Sequence, residues 1–110
     1  MNELNERQAA IGLSALGNVI RLHLFRLLVK AGPEGLTVGR IQHHLEVPAS
    51  TLAHHISSLA KAGLLTQRKQ GREVICAADY RRMDALVDFV TRECCEGLTI
   101  DDGIAERAAG

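Results

Sequence analysis

Two adjacent cysteines, Cys94 and Cys95, have the most distinctive chemistry in this sequence. Neighbouring thiols deprotonate to a pair of soft donors. Arsenite and antimonite are soft, thiophilic species that favour a pyramidal set of three sulfurs, and this pair can supply two of them. Cys76 is either the third ligand or a small buried hydrophobe, since free cysteine is among the most buried residue types. A two-thiol site completed by a small thiol or by water is the remaining arrangement. Oxidant or persulfide sensing is the competing chemistry, and it needs a stabilised thiolate. The pair sits between Glu93 and Glu96 at the expected negative end of a helix, with Arg92 as the opposing cation. That setting favours deprotonation driven by a bound ion. A disulfide from Cys76 to either thiol is compatible with the pattern, whereas one within the adjacent pair would be strained. The other candidate donors, His43-His44 and His54-His55, are neighbours in sequence instead of i, i+4 pairs, and neither has a cysteine beside it.

A second kind of chemistry belongs to the stretch from Pro48 to Leu65. Leu52, Ile56 and Leu59 recur with helical period, so half of this helix is built for burial. The other half carries Ser50, Thr51, His54, Ser57, Ser58 and Lys61, which are short hydrogen-bonding groups and a cation with no carboxylate. Such a face suits contact with the edges and phosphates of double-stranded DNA. His55 is either a DNA contact or a structural residue hydrogen-bonded beneath the helix. Arg68, Lys69 and Arg72 cluster further on around a glycine turn, the placement expected of a basic wing that reaches phosphate or an adjacent minor groove.

The formal net charge of zero conceals a polarity that fits this reading. From Arg7 to Arg72 there are nine Lys or Arg against only Glu34 and Glu46, and from Glu73 onward four Arg face nine carboxylates. Local charge governs encounter with a polyanion, so the neutral total does not exclude nucleic acid. Aromatics make up 3% of the chain, too few for a base-stacking RNA platform, and the core must be Leu, Val, Ile and Ala. The three cysteines form no secreted disulfide framework, and no apolar run approaches the roughly 18 residues of a membrane span. A cytoplasmic protein with reduced thiols and no membrane partner is expected.

The elements that must position these groups follow from periodicity. A first helix runs from Asn2 to Leu16, and a second, Val19 to Ala31, carries the stripe Ile20, Leu24, Leu27, Leu28 and Ala31 that should centre the core. Thr37 caps a short third helix over 38–47, and Pro48 opens the fourth, Ala49 to Lys61, with Ser50 or Thr51 satisfying its free amides. A short helix, a tight turn and a longer helix make a helix-turn-helix. Two strands, Leu64–Arg68 and Arg72–Ala78, then flank a Lys69-Gln70-Gly71 turn. Asp79 caps a last helix with the stripe Met83, Leu86, Val87 and Val90, broadened by Phe89. The first and last helices carry matching stripes that would join two subunits about a twofold axis. The fold class is therefore mainly α with a β-hairpin, in one domain over 1–97 followed by a flexible, acidic tail over 98–110. No α/β cleft or glycine-rich ligand loop supports a cysteine–histidine enzyme, so catalysis is not expected.

This order, together with STLAHHISSLAKAGLLTQRKQGREVI, resembles the ArsR/SmtB family of winged helix-turn-helix metalloregulators. The similarity covers about 13–96 and is most specific at Ala15-Leu16-Gly17-Asn18 with Arg21, at Ser50-Thr51-Leu52 through His55, and at Ala62-Gly63-Leu64 with Gly71-Arg72. It departs at Ala53, where serine is common, and at His54, which bears on operator choice. The resemblance implies a homodimeric repressor that binds an inverted-repeat operator and releases it when an inducer binds. It also implies an arsenic-responsive subgroup, in which the last helix ends in a Cys-Cys pair followed by glycine, as in Glu93-Cys94-Cys95-Glu96-Gly97. Some members of that subgroup add a cysteine shortly downstream, and 98–110 contains none. The family's other metal sites lack their residues here: 79–97 has no histidine and 38–45 no cysteine. No cofactor is expected for folding, and As(III) or Sb(III) is the expected inducer.

Overall fold

Helix α1 begins where its cap begins. In the computed structural model, which describes residues 3–98, the Asn5 side chain accepts from the Gln8 amide at 2.8 Å while Gln8 Oε1 accepts from the Asn5 amide at 3.0 Å. This reciprocal box fixes α1 at Glu6–Leu16, later than the expected start at Asn2, because it satisfies two amides that a longer helix would otherwise use. Asn18 caps α2 (Val19–Ala31) by accepting from the Arg21 amide, and the break at Gly17-Asn18 turns the two helices by 100°. Leu24 and Leu28 on α2 are fully buried, as expected of the central core helix.

After α2 come β1 (Leu36–Thr37), α3 (Val38–Leu45), α4 (Ala49–Lys61), β2 (Leu65–Gln70), β3 (Glu73–Ala78) and α5 (Tyr80–Thr91). Thr37 caps α3 by accepting from the Arg40 amide, and α3 stops two residues short of its expected end because Glu46 takes a left-handed conformation, φ 53°. Pro48 is the residue before α4, and its carbonyl accepts the Leu52 amide at 3.0 Å. No side chain caps α4, contrary to the expectation for Ser50 or Thr51. Both lie inside the helix, one and two residues past its start, where their hydroxyls do not face the first amides.

The hairpin has a tighter turn than its sequence suggested. Its register runs from Leu65↔Ala78 to Gln70↔Glu73, leaving a two-residue turn, Gly71-Arg72, in place of Lys69-Gln70-Gly71. Gly71 at φ 65° holds the first turn position, where a two-residue loop that matches strand twist needs a positive φ. The sheet has three antiparallel strands in the order β1-β3-β2, and the unexpected β1 pairs Leu36 with Cys76 and Thr37 with Ile75. Two residues are too few to show strand alternation. Gly35, at φ 74°, lets the chain enter β1, and an added Cβ there would collide with the Cys76 carbonyl. Gly35→Ala is accordingly expected to destabilise the protein by roughly 1–3 kcal/mol, read from chemical denaturation.

Helix α5 is capped by Asp79 and tied to α2 by the Tyr80 hydroxyl, which lies 3.0 Å from the Val29 carbonyl. Its stripe is divided between two surroundings: Leu86 is buried, with Met83 and Phe89 packed against the core, while Val87 and Val90 are 58% and 57% exposed. Helix α1 divides in the same way, burying Ala9, Gly12 and Ala15 and exposing Ile11 and Leu13. No single helix among the described residues is long and apolar enough to cross a membrane. The tail expected over 98–110 lies, beyond the exposed Leu98, outside the described residues.

Candidate nucleic-acid interface and thiol site

The buried side of α4 consists of Leu52, His55, Ile56 and Leu59, so the helix can present only its other side. Ser50, Ala53, His54 and Lys61 are exposed there, with Thr51, Ser57 and Ser58 partly covered. The outward stripe holds the six residues expected on it, and His55, left open between a DNA contact and a structural role, lies on the buried side. An open groove of about 470 Å³ runs between α4 and the sheet, lined by Ala53, Ser57 and Lys61 on one side and by Gln67 and Val74 on the other.

Arg68, Lys69 and Arg72 are all exposed on the hairpin. Arg72 is in the two-residue turn, and Lys69 lies near the end of β2, opposite Val74. Arg68 instead sits mid-strand opposite Ile75 and donates from Nη2 to the Glu34 carbonyl at 3.1 Å, bracing the wing against the loop before β1. Among the described residues the one salt bridge is Arg92–Asp88, so Lys61, Lys69 and Arg72 have no carboxylate partner. A helix face of small polar groups beside unneutralised cations is suited to a polyanion, because each cation is free to exchange condensed counterions for a phosphate.

His55 is only 7% exposed. Its Nδ1 lies 3.3 Å from Arg21 Nη1, and Arg21 Nε donates to the Ala15 carbonyl at 2.6 Å. Burial, then Arg21, then His54 hold its pKa below the usual 6.5. The unfolded chain therefore binds more protons than the folded one as pH falls through the histidine range. Stability is full above about pH 6.5 and declines as pH falls toward the depressed folded value. The thermal midpoint should drop between about pH 7 and pH 5.5, and His55→Asn should flatten that slope. Sequence periodicity places His55 only at the margin of the buried stripe; its partner Arg21 is on another helix, a separation that no local pattern reveals.

The thiols fall on two different parts of the fold. Cys76 is fully buried on the central strand, where burial raises its pKa. Cys94 and Cys95 are exposed on a turn after α5, which ends at Thr91 instead of continuing through them. The Cys94 amide donates to the Thr91 carbonyl at 3.0 Å, and Glu93 and Cys95 both take positive φ, 63° and 66°. Their Sγ atoms are 3.2 Å apart. Sulfur–metal bonds of about 2.3 Å allow one ion to span that gap. Among the described residues no three His, Cys, Asp or Glu side chains are grouped to hold a metal, so Cys76 does not join the pair.

Residues 16–68 match the model of a helix-turn-helix domain family. The transcriptional activator HlyU of Vibrio cholerae is 28% identical over 94 residues, covering 86% of this chain and 84% of that protein. A putative arsenical resistance operon repressor, ArsR, of Halobacterium salinarum is 39% identical over 82 residues, 66% of this chain and 63% of the relative. An uncharacterized HTH-type transcriptional regulator of Methanocaldococcus jannaschii is 36% identical over 69 residues, 63% and 74% of the two chains. Among solved structures, Vibrio cholerae HlyU superposes with a TM-score of 0.64 at 27% identity over 84% of this chain and 98% of its own. A homodimeric winged helix-turn-helix DNA-binding domain of Mycobacterium bovis, a possible ArsR-family regulator, gives 0.61 at 25% identity over 92% and 99%. With the helix-turn-helix, the wing and these relatives in agreement, the chain belongs to the ArsR/SmtB family of winged helix-turn-helix transcriptional regulators.

Proposed function

We propose that this regulator is a homodimeric repressor that lays α4 of each subunit in successive major grooves of an inverted-repeat operator and releases DNA when a thiophilic inducer, arsenite or antimonite, binds Cys94 and Cys95. The carrying observation is the outward stripe Ser50, Thr51, His54, Ser57, Ser58 and Lys61 beside wing cations that have no carboxylate partner among the described residues. Lys61, Lys69 and Arg72 bind phosphate, Arg68 holds the wing in place with its guanidinium near the backbone, and the small polar groups of α4 meet base edges. Two such helices need a spacing of about 34 Å, which a twofold dimer provides.

The dimer is supported by the apolar surface that one subunit leaves open. Ile11 and Leu13 on α1, Val19 and Leu22 on α2, and Val87 and Val90 on α5 are exposed. Between α2 and α5 an apolar groove of about 320 Å³, lined by Leu22, Phe25, Val29, Met83 and Val87, offers a seat for the partner. The thiol pair lies just beyond α5, so an ion bound there acts on the helix that would carry the interface. The ArsR relative from Halobacterium salinarum supports the choice of arsenite.

The DNA reading is tested by the salt dependence of binding to duplexes enriched by the protein from a random-sequence pool. The logarithm of affinity should fall linearly with the logarithm of salt, and Lys69→Ala and Arg72→Ala should each flatten the slope by about 1. Binding that ignores salt refutes it. The exposure and proximity of the two thiols also favour a second reading, a redox or persulfide sensor. Peroxide would take two electrons and two protons from the pair to give two waters and a disulfide, strained because its cysteines are neighbours, and DNA release by peroxide but not by arsenite would select it.

A further inference from the structure

We infer that Arg21 and His55 are a positioning pair that sets the angle of α4 against the α1–α2 corner, so that His55 serves DNA binding through Arg21 and not by touching DNA. The inference rests on reading α4 as the helix that docks on DNA. Arg21 reaches three elements at once. Asn18 accepts from its backbone amide at the start of α2, its Nε donates to the Ala15 carbonyl in the last turn of α1, and its Nη1 lies 3.3 Å from His55 Nδ1 in the middle of α4.

A guanidinium has donors only, so the contact to His55 requires a free lone pair on Nδ1 and hence a neutral ring protonated on Nε2. The ring is buried on the inner side of α4, between neighbours that leave it 7% exposed. Protonating it would remove the acceptor and set two cations about 3.3 Å apart inside the joint between reading helix and corner. The charges acting on the ring are Arg21 from α2 and its own neighbour His54. Helix α1 brings a carbonyl, and the charged groups of β2, Arg68 and Lys69, are exposed on the wing. Burial first, and then the Arg21 guanidinium, disfavour the charged ring.

The two possible roles of His55 have opposite signs. A histidine touching phosphate gains charge on acidification and tightens binding, whereas a positioning histidine loses its partner and weakens it. The test uses the full chain and duplexes enriched by the wild-type protein, with affinity measured by anisotropy at constant ionic strength from about pH 8 to about pH 5.5. His55→Asn supplies a non-titrating acceptor near the Nδ1 position and cancels the contribution of every other histidine in the comparison. It should bind within about threefold of wild type at the alkaline end and lose an acid-side weakening of about tenfold, while Arg21→Lys should bind about tenfold more weakly throughout. Thermal unfolding verifies that each variant is folded. Wild-type affinity that tightens on acidification more than that of His55→Asn overturns the inference, as does an Arg21→Lys protein equal to wild type.

Nitrogen chemical shifts of the labelled imidazole in the wild-type protein give a readout that needs no variant. An unprotonated Nδ1 on His55 at neutral pH is expected, and a proton there overturns the pair. If the wild-type protein shows no salt-dependent DNA binding, the docking reading fails, and the tautomer still decides whether the pair exists.

Discussion

Arsenite added to the reduced protein is expected to lower its affinity for operator DNA by about 5- to 150-fold, the range of a coupling free energy of about 1–3 kcal/mol. Cys94→Ser together with Cys95→Ser should abolish that response and leave affinity in the absence of arsenite unchanged. The pair is exposed and lies outside the core, so removing both sulfurs costs little stability. Its Sγ atoms are within reach of one ion. The Cys94 amide donates to the Thr91 carbonyl, so in the proposed mechanism an ion that draws the two thiolates into its own geometry would act on the end of the helix that would bear the dimer face. Anisotropy titrations with arsenite, zinc and peroxide in separate arms measure the effect; an undiminished response in the double variant eliminates the pair as sensor. Cys76→Ser distinguishes the ligand from the core residue. Arsenite affinity should be unchanged, because Cys76 is enclosed on the central strand, while stability falls by about 1–3 kcal/mol from a hydroxyl placed where a thiol packs.

Val87→Glu combined with Val90→Glu should convert the protein to a monomer and reduce operator affinity on the order of 10³-fold, toward the non-specific level. Both side chains are more than half exposed in the single subunit, so their replacement leaves the core around Leu86 intact. In a dimer the two carboxylates would be buried against apolar groups without partners, a cost too large for an interface to absorb. Sedimentation velocity gives the oligomeric state and anisotropy the affinity. A variant that remains dimeric moves the interface elsewhere, and a monomer that binds as tightly as wild type removes the need for two docked helices.

Most of the architecture was legible because its signals are local. The Thr37 and Asp79 caps and the boundaries of α4 each depend on residues within one or two turns, and they lie where the sequence placed them; of the α2 stripe, Leu24 and Leu28 are buried, Ile20, Leu27 and Ala31 are partly covered, and Phe25 joins the core. Boundaries shifted where a cap or turn outweighed the period. The Asn5–Gln8 box delayed α1, the left-handed Glu46 shortened α3, and Gly71-Arg72 tightened the hairpin. Strand β1 escaped notice because two residues carry no period, and its existence depends on a partner strand far along the chain.

The candidate site divides along the same line. The sequence by itself determined which side chains α4 turns outward, that the wing is basic and that two thiols are adjacent, because helical period, charge type and chain neighbourhood are all properties of short segments. Only the tertiary structure decided that His55 turns inward to Arg21, that Arg68 braces the wing at Glu34, and that Cys76 is enclosed in the sheet apart from Cys94 and Cys95. Each of those outcomes is a contact between residues distant in sequence, set by how the helices and strands pack once hydrophobic burial has chosen their relative positions.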